Sequence, residues 1–191
     1  MMLPQLLISS NGPASGSFRK RSILCFEDAA AYVRSLPYKR NGNKDNLCTV
    51  LSDGYGTCST KHALLRQLAA ENGWNDFRLM LCIFRMNAVN TPPVAHTLEK
   101  YHLPYMPEAH CYLRINGAIW DGTTASGGAG NFVQELLLEK EIEPEQITDF
   151  KVAFHKDFLQ QWLAAHTELP NTLDELFRIR EQCIKDLEHA S

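Results

Sequence analysis

The chain lacks the features of a membrane or secreted protein. No apolar run approaches the roughly 20 residues that a helix needs to span a bilayer. The apolar stretch at its start is broken by Pro4 and has no basic flank, so no secretory signal is visible. The formal net charge is −3, so the chain also lacks the basic surplus of a nucleic-acid-binding protein. We expect a cytoplasmic protein whose partners include neither membranes nor nucleic acids.

Paired cysteines are also missing. None of the six cysteines belongs to a Cys-x-x-Cys pair, which removes the main signature of zinc ribbons and thioredoxin-type sites. A chain of 191 residues can bury roughly 70% of its unfolded surface without disulfide bonds, and cytosolic thiols stay reduced. We therefore predict no metal and no cofactor, and the useful question is whether one thiol is placed to react. The cysteines are Cys25, Cys48, Cys58, Cys82, Cys111 and Cys183.

The length fits a single domain with additions. The charged fraction of 21% and the apolar fraction of 45% are ordinary for a globular protein. Proline, glycine and serine near the N-terminus predict a flexible arm over residues 1–17. We predict a core over residues 18–130 and a helical extension of the same domain over residues 131–191. Nothing in the sequence indicates the oligomeric state.

Helical and strand patterns are mixed along the chain, which predicts an α+β fold. Residues 77–86 are apolar on both alternating sets, as in a strand that is covered on both faces. The proline-rich residues 87–109, helical over 94–101, and the glycine run 127–130 are predicted to rim a site. The other predicted elements are helices at 27–36 and 58–71, a short strand at 47–51, a hairpin at 110–124, and mostly helical structure from Phe132 onward.

Cys58 follows a glycine turn and begins a predicted helix. Gly54 and Gly56 permit the tight turn. The partial positive charge and unpaired N–H groups of a helix N-terminus favour a thiolate, and the backbone N–H of Cys58 could stabilise an oxyanion beside the sulfur. The alternative is a small buried residue that only happens to start a helix. His62, four residues later, is expected to be a packing or surface histidine.

Residues 110–123 predict a hairpin that presents a histidine and an aspartate. Asn116-Gly117 is a strong signal for a two-residue turn, and the register it sets gives one apolar face, which includes Cys111, and one mostly polar face. His110 and Asp121 share the polar face as diagonal neighbours within hydrogen-bonding reach. An Asp that holds one imidazole nitrogen leaves the other free to act on a thiol, whereas the alternative is an ordinary hairpin with a solvated face. The predicted pairs are Ile115–Ala118, Arg114–Ile119, Leu113–Trp120, Tyr112–Asp121 and His110–Thr123.

These residues resemble the transglutaminase-like superfamily of cysteine enzymes. The segment from Gly56 to Leu65 resembles the Gly-x-Cys helix start of that family, and His110 followed by Asp121-Gly122-Thr123 resembles its His…Asp-x-Thr pair. The resemblance covers about residues 27–124. It implies a papain-like core in which the nucleophile helix packs on an antiparallel sheet. It also implies a catalytic triad, with Cys58 as nucleophile, His110 as general base and acid, and Asp121 as the residue that orients the imidazole.

The chemistry implied by the resemblance is attack of a thiolate on an amide or ester carbonyl. A thioester acyl-enzyme would form and pass its acyl group to water or an amine, with a peptide, a protein or a small amide as substrate. The sequence shows no calcium loop like that of the large animal cross-linking enzymes, so we expect hydrolysis rather than cross-linking. The upstream tryptophan that some relatives use for the oxyanion is missing, and the Arg40-Asn41-Gly42-Asn43 loop offers candidates for the second donor.

Three other interpretations stay open. The chain could be a non-catalytic binding module of transglutaminase-like fold, because a fold does not guarantee a function. Arylamine acetyl-transfer enzymes also use Cys-His-Asp, although the residues before Cys58 do not match their Arg-Gly-Gly-x-Cys start. Finally, a metal could be bound by cysteines together with His62, His96, His102 or His110, although no paired ligand spacing supports such a site.

Overall fold

The structure, a computed structural model, describes residues 3–124, 132–169 and 172–190. Within these ranges seven α-helices accompany a four-stranded antiparallel sheet, which confirms the α+β class. No helix among them has the length and apolar content to cross a membrane. The helices are α1 (Pro13–Arg19), α2 (Phe26–Ser35), α3 (Thr49–Asp53), α4 (Cys58–Glu71), α5 (Ala95–Lys100), α6 (Asp149–Ala165) and α7 (Leu173–His189). The strands are β1 (Phe77–Met86), β2 (Met106–Ile115), β3 (Ala118–Trp120) and β4 (Leu136–Ile142), and 3₁₀ turns occupy Pro92–Val94, Val133–Glu135 and Pro144–Ile147.

The strands lie in the order β3-β2-β1-β4, and the predicted strand over residues 77–86 is confirmed as β1. The β2–β3 hairpin has the predicted register over Ile115–Ala118, Arg114–Ile119 and Leu113–Trp120. Strand β3 ends at Trp120, so the predicted pairs Tyr112–Asp121 and His110–Thr123 are not formed. Its turn consists of Asn116 and Gly117, whose φ angles of 50° and 77° lie in the left-handed region. Asparagine and glycine tolerate that region best, which is why this dipeptide sets the register.

Both faces of the sheet are covered. Leu79, Leu81 and Ile83 of β1 pack with apolar side chains of α1, α2 and α4. The alternate residues of the strand, from Met80 to Met86, pack with α5, α6 and α7 on the other face. A strand with two covered faces needs apolar residues on both, which explains the unbroken hydrophobicity of β1 from Leu79 to Phe84.

The prediction of a flexible arm does not hold for residues 3–17, whereas residues 1–2 lie outside the described ranges. Helix α1 begins at Pro13, and Ala14 and Phe18 are fully buried. The carboxylate of Glu71 accepts hydrogen bonds from the backbone N–H groups of Ala14 and Ser15, at 2.9 and 2.7 Å, and so caps the helix. Because this partner lies more than fifty residues along the chain, the local composition did not reveal it.

Two further predictions are corrected. Residues 47–51 do not form a strand, because helix α3 begins at Thr49. The predicted helical extension contains β4, which pairs with β1 and completes the sheet. Its charged residues from Glu139 to Glu141 face solvent at the sheet edge, and they hide the apolar alternation that marks a strand. The chain after residue 131 is therefore part of the same sheet as the predicted core.

The predicted rim is only partly a loop. Helix α5 is close to the predicted helical stretch 94–101, but β2 already begins at Met106 and takes up the end of the segment. The glycine run 127–130 lies outside the described residues. The helices predicted at 27–36 and 58–71 are observed as α2 and α4, α2 being shifted by one residue.

Candidate active site

Cys58 is the first residue of α4, and a hydrogen-bonded cap holds that helix start in place. The backbone N–H of Thr57 donates to the hydroxyl of Thr60 at 3.0 Å, and the Thr57 hydroxyl accepts from the N–H of Thr60 at 3.5 Å. The Thr60 hydroxyl donates in turn to the side-chain oxygen of Asn41 at 2.8 Å. The capping box satisfies the N–H of Thr60, and the N–H groups of Cys58 and Ser59 at the helix start have no carbonyl partner within the helix.

His110 and Asp121 meet as the hairpin register predicted. Nε2 of His110 lies 2.8 Å from Oδ2 of Asp121, and Asp121 is 8% exposed. The other carboxylate oxygen accepts the backbone N–H of Thr123 at 2.8 Å and also the Thr123 hydroxyl. Burial raises the pKa of Asp121, but His110 and Thr123 outweigh burial and hold it well below its usual range. Asp121 is therefore ionised and orients the imidazole through Nε2–H.

The structure brings Cys58 next to this pair. Cys58 and His110 line the same cavity, and Nδ1 is the ring nitrogen left to face the thiol because Asp121 holds Nε2. Burial raises the pKa of the Cys58 thiol, but the positive charges of Lys151 and His110 outweigh burial and lower it to about 6. Burial lowers the pKa of His110, whereas Asp121 and Cys58 raise it well above its usual value. At neutral pH the pair is therefore a thiolate and an imidazolium.

Lys151 belongs to the site, although the sequence analysis missed it. It lies on α6, is 9% exposed, and donates from Nζ to the hydroxyl of Ser59 at 2.7 Å. The same nitrogen lies 3.8 Å from Sγ of Cys58. Burial lowers the pKa of Lys151, but the neighbouring thiols and Glu108 outweigh burial and leave it raised, so the ammonium persists. No sequence signal points to this contact, because 93 residues separate the partners and a lysine in an amphipathic helix usually faces solvent.

His62 is buried and structural, which confirms the packing role and excludes the surface one. Its Nε2 accepts the backbone N–H of Gly122 at 2.8 Å, so Nδ1 carries the proton and donates to the carbonyl of Cys58 at 2.6 Å. Burial lowers its pKa to about 4, and the ring is neutral. His62 therefore links the start of α4 to the turn that carries Asp121.

The loop predicted to supply the second oxyanion donor is engaged elsewhere. Arg40 pairs with Glu181 at 2.7 Å. The side-chain nitrogen of Asn41 donates to Asp53 and to the carbonyl of Tyr55, both at 2.9 Å. Asn43 accepts two N–H groups of its own turn. The loop therefore braces the start of α4 rather than reaching the thiol.

Cys58 lies between two cavities that share part of their lining. The larger has a volume of about 250 Å³, contains His110 and Asp121, and is otherwise mostly apolar. The smaller has a volume of about 70 Å³, contains Lys151, and is mostly lined by polar and charged groups. Tyr38 lines both cavities, as do Glu108 and Ile184. The thiol, only 6% exposed, is reached through these cavities.

The other buried strand thiols are not acidified, although Lys151 and His110 also act to lower the pKa of Cys111. All six cysteines are free, and Cys82 and Cys111 are fully buried with pKa values that burial raises. The described residues include no group of three His, Cys, Asp or Glu side chains that could hold a metal ion. Two histidines of the metal alternative, His62 and His110, are instead engaged by Gly122 and Asp121.

We compared the chain with models of known protein families, with curated proteins and with solved structures, and found no match in any of the three.

Proposed function

We propose that the protein hydrolyses a small amide or ester through a thioester acyl-enzyme, as an enzyme of transglutaminase-like type with a papain-like core. Cys58 is the nucleophile, His110 the general base and acid, and Asp121 the orienting residue. The observation that carries the proposal is the Cys58 thiol, whose pKa is lowered to about 6 beside an imidazole that Asp121 holds. Nucleophilic cysteines need this combination, whereas structural cysteines do not.

The reaction proceeds in two steps. The Cys58 thiolate attacks the carbonyl carbon, and the oxyanion that forms accepts a hydrogen bond from the backbone N–H of Cys58. The imidazolium of His110 then protonates the leaving amine or alcohol, which departs and leaves a thioester. A water molecule gives one proton to His110 and attacks the thioester, and the acid leaves as the thiolate is restored. Asp121 keeps the ring orientation through both steps.

The confined site favours hydrolysis of small substrates over cross-linking of proteins. The thiol is 6% exposed and opens into cavities of about 250 and 70 Å³. A cross-linking enzyme must admit a protein glutamine side chain and then a protein amine, whereas water needs little room. His110 lines only the larger cavity, so the leaving group that it protonates is expected there.

A labelling experiment tests whether the thiol is activated. Cys25 is the matched control, because it is a free thiol that is more exposed than Cys58. The N–H of Asp28 lowers the pKa of Cys25, but burial and the Asp28 carboxylate outweigh it and leave the pKa raised. We expect iodoacetamide at pH 7 to modify Cys58 first, as read from peptide masses. If Cys25 reacts first, accessibility governs labelling and the chain is better described as a binding module.

A substrate screen tests the reaction itself. We expect turnover of 4-nitroanilides or 4-nitrophenyl esters that is lost in Cys58→Ala and kept in Cys25→Ala. Added amines distinguish water from an amine as acceptor, because aminolysis gives an amide product that mass spectrometry detects. Turnover that survives in Cys58→Ala would exclude the proposed nucleophile.

A further inference from the structure

The smaller cavity contains more positive than negative charge. Its lining includes four cationic side chains and the carboxylate of Glu108, and Glu181 lies just behind it. Arg180 donates from Nε to Glu108 at 2.8 Å, and Arg40 pairs with Glu181, so each guanidinium has a carboxylate. The cationic residues are Arg40, Lys44, Lys151 and Arg180.

The two lysines of the cavity are left without such partners. Among the described residues, neither Lys44 nor Lys151 has a carboxylate within ion-pair distance. Burial lowers the pKa of Lys44, and the nearby positive charges lower it further and outweigh Glu181, which raises it. The negative groups near Lys151 are the thiolate of Cys58, 3.8 Å from Nζ, and the carboxylate of Glu108, which Arg180 already binds.

We propose that the smaller cavity binds a carboxylate, and that this carboxylate belongs to the acyl part of the substrate. The cavity, at about 70 Å³, has room for about two water molecules and so for one carboxylate group. An anion in this cavity lies between two lysines. Lys151 is buried on the inner side, and Lys44 is exposed at the rim. The assignment to the acyl part rests on the proposed function, whereas the anion site itself does not.

The position of His110 decides which half of the substrate enters the smaller cavity. The leaving group must reach the imidazolium that protonates it, and His110 lines only the larger cavity. The acyl chain therefore extends from Cys58 in the other direction, toward Lys151 and Lys44. The substrate class is an amide or ester of a short dicarboxylic acid.

The charge change during the reaction supports the same assignment. Attack followed by departure of the leaving group converts the Cys58 thiolate into a neutral thioester, and Lys151 then loses the negative charge 3.8 Å from its Nζ. A buried ammonium without a counter-charge is unfavourable. A substrate carboxylate in the cavity restores that counter-charge and stabilises the acyl-enzyme relative to one formed from a neutral acyl group.

The test uses a matched pair of substrates, glutaryl 4-nitroanilide and its uncharged analogue in which the free carboxylate is a carboxamide. We expect kcat/KM to be about tenfold higher for the carboxylate, since one favourable charge contact is worth about that factor. Lys44→Gln should lower this preference several-fold. Lys20→Gln, an exposed lysine outside both cavities, should leave it unchanged. Equal kcat/KM for the two substrates would overturn the assignment to the acyl part.

Alkylation separates failure of the anion site from failure of the proposed function. Iodoacetate carries a carboxylate and iodoacetamide does not, so the ratio of their rates at Cys58 reports anion binding without any turnover. We expect this ratio to exceed that of free cysteine and to fall in Lys44→Gln and Lys151→Met. If neither anilide is cleaved but the ratio behaves this way, the anion site stands and the proposed function fails. A ratio that Lys44→Gln leaves unchanged would overturn the anion site.

Discussion

At the scale of single residues, Lys151 is the unexpected member of the site. A lysine that is almost wholly buried usually faces a carboxylate. Lys151 instead faces the Ser59 hydroxyl and the Cys58 thiol, at 2.7 and 3.8 Å from Nζ. A charge so close to sulfur in a poorly solvated setting favours the thiolate strongly. The acidity of the thiol therefore depends on Lys151 as well as on His110 and the helix N-terminus.

Lys151→Met is expected to raise the pKa of the Cys58 thiol. In the unaltered protein the rate of iodoacetamide labelling should rise with pH around a midpoint near 6, because the thiolate is the reactive form. Methionine keeps the volume but removes the charge that lowers the pKa, so the midpoint should move to higher pH by about one unit or more. Lys156→Met on the same helix is the control and should leave the midpoint in place. An unchanged midpoint in Lys151→Met would mean that Lys151 does not contribute and that His110 and the helix N-terminus set the thiol pKa.

The residues of the proposed triad could be predicted because patterns of neighbouring residues in the sequence indicate them. The glycine turn and apolar spacing mark Cys58 as a helix start, and the Asn116-Gly117 turn sets His110 beside Asp121. Lys151 and the structural role of His62 could not be predicted in the same way. Both depend on contacts that form only after distant parts of the chain pack together.

At the scale of elements, the end of β3 is held in a turn that only glycine fits. A Cβ at Gly122 would lie 2.2 Å from the ring of Trp120, and the N–H of Gly122 donates to His62. The Trp120 ring therefore packs directly against the backbone of the turn. The turn also places the Asp121 carboxylate beside His110.

Gly122→Ala is expected to displace Trp120 or the turn itself. Overpacking of this kind costs about 1–3 kcal/mol of the free energy of unfolding. Movement of Asp121 should also slow labelling of Cys58. Thermal unfolding and labelling rates measure the two effects. Gly16→Ala is the control, because nothing lies near its added Cβ and alanine favours a helix, so stability should be kept or increased. A Gly122→Ala protein as stable and reactive as the original would show that the turn is not under steric constraint.

A buried ion pair joins helix α7 to β2, the strand that carries His110. Arg180 on α7 binds Glu108 on β2, two residues before His110, and both side chains are largely buried. Burial raises the pKa of Glu108, but Arg180 outweighs burial and lowers it.

Glu108→Gln should therefore remove one of the two carboxylates that the buried Arg180 binds, the other being Glu181 at 2.6 Å. We expect a loss of about 1–3 kcal/mol in the free energy of unfolding, measured by urea denaturation. The double variant Glu108→Met with Arg180→Met should recover most of that loss, because both charges are then absent. A double variant as unstable as the single one would show that packing, rather than the charge, accounts for the effect.

Elements that pack locally were predicted well, whereas those that depend on remote partners were not. The helix over 58–71, the strand over 77–86 and the β2–β3 register each follow from neighbouring residues. Helix α1 depends on a cap from Glu71, and β4 depends on pairing with β1, more than fifty residues earlier. Neither contact produces a periodic pattern of apolar residues in the local sequence.

At the scale of the whole molecule, the last third of the chain is part of the site rather than an attachment to it. Strand β4 completes the sheet, α6 supplies Lys151, and α7 supplies Arg180. Ile184 and Leu187 of α7 also line the larger cavity. The predicted division at residue 130 therefore separates residues that act together.

A variant that ends at residue 172 is expected to lose both stability and thiol reactivity. It lacks α7, whose buried side chains include Leu176, Ile179 and Ile184. Each such side chain contributes about 1.5–3 kcal/mol on burial, so the sum is a large part of the marginal stability of a typical domain. Circular dichroism on heating and labelling of Cys58 measure the two losses. Lys185→Ala, an exposed change on α7, is the control. Unchanged melting and labelling after truncation would show that α7 is dispensable.

The separation of Lys151 from Cys58 also bears on how the protein is made. Synthesis proceeds from the N-terminus, and Lys151 follows Cys58 by 93 residues. Until α6 has left the ribosome and docked, the thiol lacks the charge that makes it acidic. In the nascent chain the Cys58 thiol therefore has a higher pKa, and it reacts more slowly with oxidants and acylating agents. We therefore expect the labelling rate of Cys58 to reach its full value only after α6 has docked.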